Sequence, residues 1–375
     1  MKKQTAVALA VLALTACAAQ AQSSVTMYGV VDLAVRYSNH HGPTGDDALT
    51  TVTSGGVAES RLGWNISEDL GAGLKAIANL EHRLQADTGA ASAGPFFQQS
   101  WVGLQGDSFG RVTLGRQFNV LVDMTTTTFS SFKTVGPYLN SYKPEIALAL
   151  GVRNDNQIKY ALNLGGFTAE AQWSPDEGSG PSAATPALGK SWGAMAKYSF
   201  GSFAAGAGYL ERKDAAGLKA EAYVVGGAYQ AGPLYLNLSY GRNNFDDGMN
   251  TGLFLVGSGF DNAVAGVRPG QVPNDVKDRS MWSIGGTYEL MTGLVLGAQY
   301  WKADQSYHTA GVSDGSGDFF ALLADYSFSK RTAVYAAVEY TSLNDLQLTN
   351  MRVSPAAPNG ADNRTALMVG IRHRF

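Results

Sequence analysis

Along most of this chain apolar and polar residues alternate with a period of two, the pattern of extended strands with one apolar and one wet face. Val25, Met27, Val31, Leu33 and Val35 share one face of the first stretch, with Thr26, Asp32 and Arg36 on the other. Leu62, Trp64 and Ile66 then stand opposite Arg61, Asn65 and Ser67, and Leu74, Ala76, Ala78 and Leu80 alternate with Lys75, Asn79, Glu81 and Arg83. The last stretch sets Leu367, Val369, Ile371, His373 and Phe375 against Ala366, Met368, Gly370, Arg372 and Arg374. At about eleven residues it is as long as a tilted strand needs to be to cross a bilayer.

The rhythm predicts sixteen strands, starting near residues 24, 57, 72, 97, 110, 153, 165, 190, 202, 219, 232, 279, 293, 317, 331 and 364. Short glycine-containing turns near 69–71, 106–109, 164–165, 200–201, 230–232, 291–293 and 328–330 alternate with long polar loops. The loops fall at 38–56, 87–96, 117–152, 174–189, 213–218, 243–278, 304–316 and 343–363. Strict short–long alternation predicts an antiparallel up-and-down barrel, with tight turns at one rim and loops at the other. A soluble sandwich or propeller would have shorter strands with turn signals every 8–12 residues. Its apolar face would also bury bulky residues against a second sheet; here Arg, Lys, Glu and Gln sit mid-strand on the polar face, as a water-filled lumen requires. The fold expected is therefore an all-β, 16-stranded antiparallel transmembrane β-barrel.

Composition sharpens this picture. Charged residues make up 16% of the 375, below the roughly 25% of soluble domains, and glycine is abundant at 45. Seventeen Tyr, sixteen Phe and six Trp suit aromatic girdles. A formal charge of −3 gives no case for nucleic acid. Residues 1–21 read as a signal peptide: Lys2 and Lys3, an apolar Val7–Leu14 core, and Ala19-Gln20-Ala21 as an A-x-A site. Leu14-Thr15-Ala16-Cys17 is a competing lipoprotein-type box, less well placed than the A-x-A site directly before the first strand. Either reading implies export. Residues 22–375 then form the barrel and hold no cysteine, which leaves no disulfide framework.

Five stretches resemble the general porins of Gram-negative bacteria, betaproteobacterial branch. They are Ser24–Asp32 (SVTMYGVVD), Ser60–Gly63 (SRLG), Glu68–Ala76 (EDLGAGLKA), Gly115-Arg116-Gln117, and the ending Gly370–Phe375 (GIRHRF). The resemblance spans almost the whole mature chain and thins in the loops at 174–189, 243–278 and 343–363. It implies a homotrimer of barrels in the outer-membrane lipid, reached after export. It also implies passive diffusion of small hydrophilic solutes and ions, and a third long loop folded inward. In that family the terminal aromatic, here Phe375, is read by the outer-membrane assembly machinery.

The same resemblance implies wall arginines facing acids on the inward loop. Parity supplies the wall candidates independently, Arg36, Arg61, Arg83 and Arg153; of the two acids on the 117–152 loop, Asp123 and Glu145, Asp123 is the candidate for the acidic side. Lys75, Glu81, Glu145 and Lys159 are possible lumen groups, and Asp32 and Asp155 add lumen charge. The 117–152 loop is rich in Thr and aromatics (Thr125 to Phe129, Phe132, Tyr138, Tyr142), as a loop packed on a wall requires. With guanidiniums charged at any working pH, the balance predicts weak anion preference.

Other function classes find less support. A barrel hydrolase needs a nucleophile beside a base, and His40, His41, His82, His308 and His373 fall in no such frame. Nothing has the spacing of a metal or cofactor site. A substrate-specific channel would show an aromatic track, and inward Trp301 and Tyr335 do not make one. Adhesion through the variable loops stays open as an alternative.

Overall fold

The computed structural model describes residues 23–375 apart from 42–43, 93, 130–132, 136–148, 176–187, 215, 250–275, 346–348, 351–356 and 359. Residues 1–21, read as an export signal and including Cys17, and the loop acid Glu145 lie outside the described residues.

Sixteen strands form the wall. The first eight are β1 (Ser23–His41), β2 (Arg61–Gly71), β3 (Leu74–Gln85), β4 (Phe97–Gly106), β5 (Gly110–Phe118), β6 (Arg153–Leu164), β7 (Phe167–Ser174) and β8 (Leu188–Phe200). The second eight are β9 (Phe203–Asp214), β10 (Lys219–Ala231), β11 (Leu234–Phe245), β12 (Val276–Met291), β13 (Leu294–Tyr307), β14 (Gly315–Ser327), β15 (Thr332–Asn344) and β16 (Asn363–Arg374). Each pairs antiparallel with its chain neighbours. The ring closes because β1 is shared: Ser23–Val30 pairs with β2, and Val30–Ser38 pairs with β16. Closure leaves no free edge, so every backbone group in the wall finds a partner without water.

The alternation places side chains as read from the sequence. On β9, Gly206, Gly208, Leu210 and Arg212 turn inward, while Phe203, Ala205, Ala207 and Tyr209 face out. Outward aromatics form two rows, one near the turns (Phe167, Tyr198, Phe200, Phe203, Tyr288, Tyr326) and one near the loops (Trp173, Trp192, Tyr223, Tyr240, Trp282, Tyr340). Between them lie aliphatic residues such as Val225, Leu238, Ile284, Leu322 and Val338. The short turns reverse through left-handed glycines, for example Gly201 at φ 56° and Gly232 at φ 53°.

Two loops carry structure that alternation did not announce. Within 38–56, residues Asp47–Ser54 form a further strand that continues β1 upward, pairing with Leu33–His41. Among the described residues one helix is present, α1 (Val120–Thr128), in the third long loop.

Asp32, expected as a lumen charge, is instead fully buried. Its carboxylate accepts from the backbone N–H groups of Gly56 (3.0 Å), Val57 (3.3 Å) and Ala58 (2.9 Å), and from the Tyr335 hydroxyl. It pins the end of the first loop to the inner wall. Asp32→Ala strands these donors at about 1–3 kcal/mol each. A clear drop is expected in the temperature at which the heat-modifiable folded band is lost in gel electrophoresis. Unchanged melting would show that water replaces the carboxylate.

Candidate functional site

Three wall arginines occupy inward positions on the first three strands. Arg61 and Arg83 stand directly opposite each other across β2 and β3, an arrangement that like charges disfavour. Carboxylates between them make it tenable. Glu81 Oε2 lies 3.3 Å from Arg61 Nε, and Glu81 Oε1 lies 4.0 Å from Arg83 Nε and 3.8 Å from Arg153 Nη2. The Tyr28 hydroxyl donates to Glu81 at 3.2 Å, and Arg83 is also paired with Glu59. Arg36 reaches across β16 to Glu339 at 2.7 Å. Among the described residues, four guanidiniums thus meet the three carboxylates Glu59, Glu81 and Glu339.

Arg153 arrives by an irregular route. Asn156 sits at φ 52° in a bulge that puts Asn154 opposite Gln117 and Arg153 opposite Phe118. The guanidinium lies over the Phe118 ring, 4.5 Å from its centroid, with Gln98 Oε1 at 3.5 Å. The same bulge moves Asp155 away from its expected lumen position: it is more than half exposed and paired with Arg116.

The opposite side of the site is the third loop. Asn119 caps α1, its side chain accepting from the N–H groups of Leu121 and Val122, both at 3.0 Å. Val120 N–H donates to Gln172 of β7 at 2.7 Å. Val120, Leu121, Met124 and the following Phe129 are wholly buried. They are buried against glycines on the inner wall. A Cβ built at Gly208 would come within 2.8 Å of Leu121, one at Gly226 within 2.7 Å of Phe129, and one at Gly206 within 3.4 Å of Met124. The wall lacks side chains where the loop needs room. Thr134 fastens the loop further along, donating to Gln299 at 2.8 Å.

Asp123 projects from α1 onto Lys159 of β6, with which it forms an ion pair. Lys159 Nζ also donates to the Phe118 carbonyl at 3.1 Å. Glu170 of β7 lies near Asp123 and Lys159, and Lys197 of β8 donates to Thr127 at 2.7 Å. This departs from the expectation of wall arginines facing a loop acid. The arginines are paired with carboxylates of their own wall or of the first loop, and Asp123 is held by a wall lysine instead.

Among the remaining candidates, Glu81 is the centre of the arginine cluster, whereas Lys75 stands exposed beside the tight turn between β2 and β3. Phe375 closes the seam: its N–H and carbonyl pair with Gly29 of β1, both at 3.1 Å, and its ring packs where a Gly29 side chain would lie. Four participants escaped the sequence reading. Glu339 shares parity with Tyr335 and Ala337, and Glu170 shares parity with Gln172, so alternation contained both. Lys197 sits among alternating alanines, next to outward Tyr198. Glu59 precedes β2 in a segment with no period to read. Among the described residues, no group of three or more His, Cys, Asp or Glu could hold a metal ion.

Comparison with known proteins places this geometry. A family model described as Gram-negative porin matches residues 8–346. Outer membrane porin protein 32 of Delftia acidovorans is 32% identical over 387 residues, covering 100% of both chains. The major outer membrane protein P.IB of Neisseria meningitidis serogroup B is 33% identical over 168 residues, 41% of this chain and 49% of that one. Among solved structures, the anion-selective porin from Comamonas acidovorans superposes with a TM-score of 0.70 at 26% identity, covering 94% of this chain and 100% of that one.

Proposed function

This chain belongs to the Gram-negative porin family and resides in the outer membrane, and from that premise we propose a passive diffusion channel with weak anion preference. The observation that carries the preference is the arginine cluster on β1, β2, β3 and β6, a concentration of four guanidiniums on the wall facing the loop that lines the opposite side. Arg36, Arg61, Arg83 and Arg153 form the basic side of the constriction. Asp123, tied to Lys159, lies on the loop side. In a narrow wet pore a small charge surplus biases which ion enters without selecting among solutes. The relative described as anion-selective supports the sign. Small hydrophilic solutes and ions are the cargo, and no reaction is assigned to the barrel.

The test is single-channel current in a planar bilayer, then reversal potential in a salt gradient. Stepwise conductance with an anion-favouring potential is expected. A cation-favouring potential would overturn the charge assignment, and the absence of steps from folded protein would overturn the channel.

A homotrimer fits the outer surface. On β16, β1, β4 and β5 the exposed residues are mainly aliphatic (Leu367, Val369, Ile371, Val25, Met27, Val102, Leu104, Leu114), while the aromatic rows run over β7 to β15. A sector whose mid-wall surface is aliphatic, with exposed aromatics only at its rims (Tyr37, Phe96, Phe109, Phe375), suits protein contact. Residues 1–21 serve as the export signal. Phe375 serves the assembly machinery as well as the seam. Deleting it removes the rung with Gly29, and a severe fall in membrane-inserted yield is expected. Normal yield of the deletion variant would refute that role.

A further inference from the structure

Two stretches that carry the family resemblance, Ser24–Asp32 and Ser60–Gly63, lie side by side on β1 and at the entry to β2. Ser60 Oγ accepts from the Asp32 N–H at 3.0 Å, and Tyr28 stands directly opposite Gly63. On the other side of Gly63 the next residue across the ladder is Glu81 of β3. All three positions face inward. Gly63 leaves the space between them open, since a Cβ built on it would come within 2.4 Å of the Tyr28 ring. The phenol therefore lies across β2 and reaches a carboxylate two strands away, a path that any side chain at 63 would block.

The hydroxyl is aimed. Asn79 Nδ2 donates to it at 3.0 Å, and to Asn65 Oδ1 at 2.8 Å. An oxygen that accepts from Asn79 turns its own hydrogen the other way, toward Glu81 Oε2 at 3.2 Å. Among the described residues this is the one hydrogen bond that the Glu81 side chain accepts. The three guanidiniums around the carboxylate stand off from it, Arg61 at 3.3 Å, Arg153 at 3.8 Å and Arg83 at 4.0 Å. Charge-assisted hydrogen bonds between guanidinium and carboxylate settle at about 2.7–2.9 Å. A carboxylate free to turn would close on one of these arginines. Glu81 is instead drawn toward β1 by a phenol whose own bond to it is charge-assisted.

We propose that Tyr28 sets the strength of the anion preference. By occupying Glu81 it keeps that carboxylate from closing on the guanidiniums around it, so their charge stays available to anions in the pore. Tyr28 is a positioning residue and acts through Glu81. The inference rests on the channel reading given above. A ring that only filled space in the wall would need neither the hydroxyl nor the asparagine that aims it.

The test is a double-mutant cycle, read as reversal potential in a dilute salt gradient on channels reconstituted from the purified protein. Tyr28→Phe keeps the ring and removes the donor. It is expected to lower the anion-over-cation permeability ratio by about twofold, the size of partly neutralising one unit charge beside the ion path. Glu81→Gln is expected to raise the ratio. Tyr28→Phe/Glu81→Gln is expected to match Glu81→Gln alone, because no carboxylate is left to hold. Gly63→Ala reaches the same end from another strand: its methyl displaces the phenol, and the ratio should fall as in Tyr28→Phe. All variants are compared as the folded heat-modifiable species. An equal shift on adding Tyr28→Phe to wild type and to Glu81→Gln would overturn the inference and assign Tyr28 to packing. So would an unchanged or raised ratio in Tyr28→Phe. A cation-favouring wild type would overturn the charge assignment of the channel instead. The cycle would still decide Tyr28, because it reads differences between variants.

Discussion

Replacing Gly206 and Gly208 together by leucine raises the single-channel conductance and leaves the barrel folded. Both glycines face inward on β9, beneath Met124 and Leu121 of α1, and at each the nearest loop atom lies where a side chain would go. Overfilling a packed contact costs about 1–3 kcal/mol. Burying a Leu or Met side chain gains about 1.5–3 kcal/mol. Two leucines therefore cancel much of what these two anchors contribute. A nine-residue helix has little stability of its own, so with two of its apolar anchors displaced it is held mainly by Asp123–Lys159, Val120 N–H to Gln172 and Phe129, and sits less deeply in the pore. The wall should tolerate the change, because the ladder of β8, β9 and β10 uses backbone groups only. Higher conductance and a larger solute cut-off, with the heat-modifiable band retained, are the expected results. Unchanged conductance would mean that α1 does not restrict the pore.

The wall was legible from the chain because period two is a strong local signal when one face meets lipid and the other water. All sixteen strand starts fall within four residues of the alternation reading, and the short–long rhythm of connections set the topology. The misses have a common physical cause: they are places where tertiary contacts decide. α1 is written Val-Leu-Val-Asp-Met-Thr-Thr-Thr-Thr, a β-branched run with poor helix propensity. It is helical because Asn119 caps it and the wall buries it. Thr125, Thr126 and Thr127 also satisfy their hydroxyls on the carbonyls of Leu121, Val122 and Asp123 at 2.6, 2.8 and 2.7 Å. The strand at Asp47–Ser54 falls within the polar loop expected at 38–56 because its partner is the unusually long β1, not a lipid-facing neighbour. At the site, parity placed Arg36, Arg61 and Arg83 correctly on the inner face. It could not say which carboxylate each would meet, since Glu339 lies 303 positions from Arg36 along the chain. Nor could it foresee the bulge at Asn156, which sends Asp155 to Arg116.

Arg83→Glu is expected to turn the channel from anion- to cation-preferring without preventing its assembly. Among the described residues the substitution leaves three guanidiniums against four carboxylates, a change of two charges toward negative. A unit charge about 6 Å from a permeating ion contributes about 0.7 kcal/mol at the dielectric of water and about 3 kcal/mol at an effective value near 20. A two-charge change therefore moves the permeability ratio by about tenfold or more. Folding should survive because the site faces water and the β2–β3 ladder does not depend on it. Arg61 remains opposite the new carboxylate and can pair with it. Arg83→Gln should fall between the two. Ionic strength separates this from a change of shape, because the screening length shrinks from about 10 Å at 0.1 M to about 3 Å at 1 M. The difference in reversal potential between variant and wild type should be large in dilute salt and fade in concentrated salt. A difference that persists at 1 M would point to altered pore geometry, and no difference at 0.1 M would remove Arg83 from the constriction.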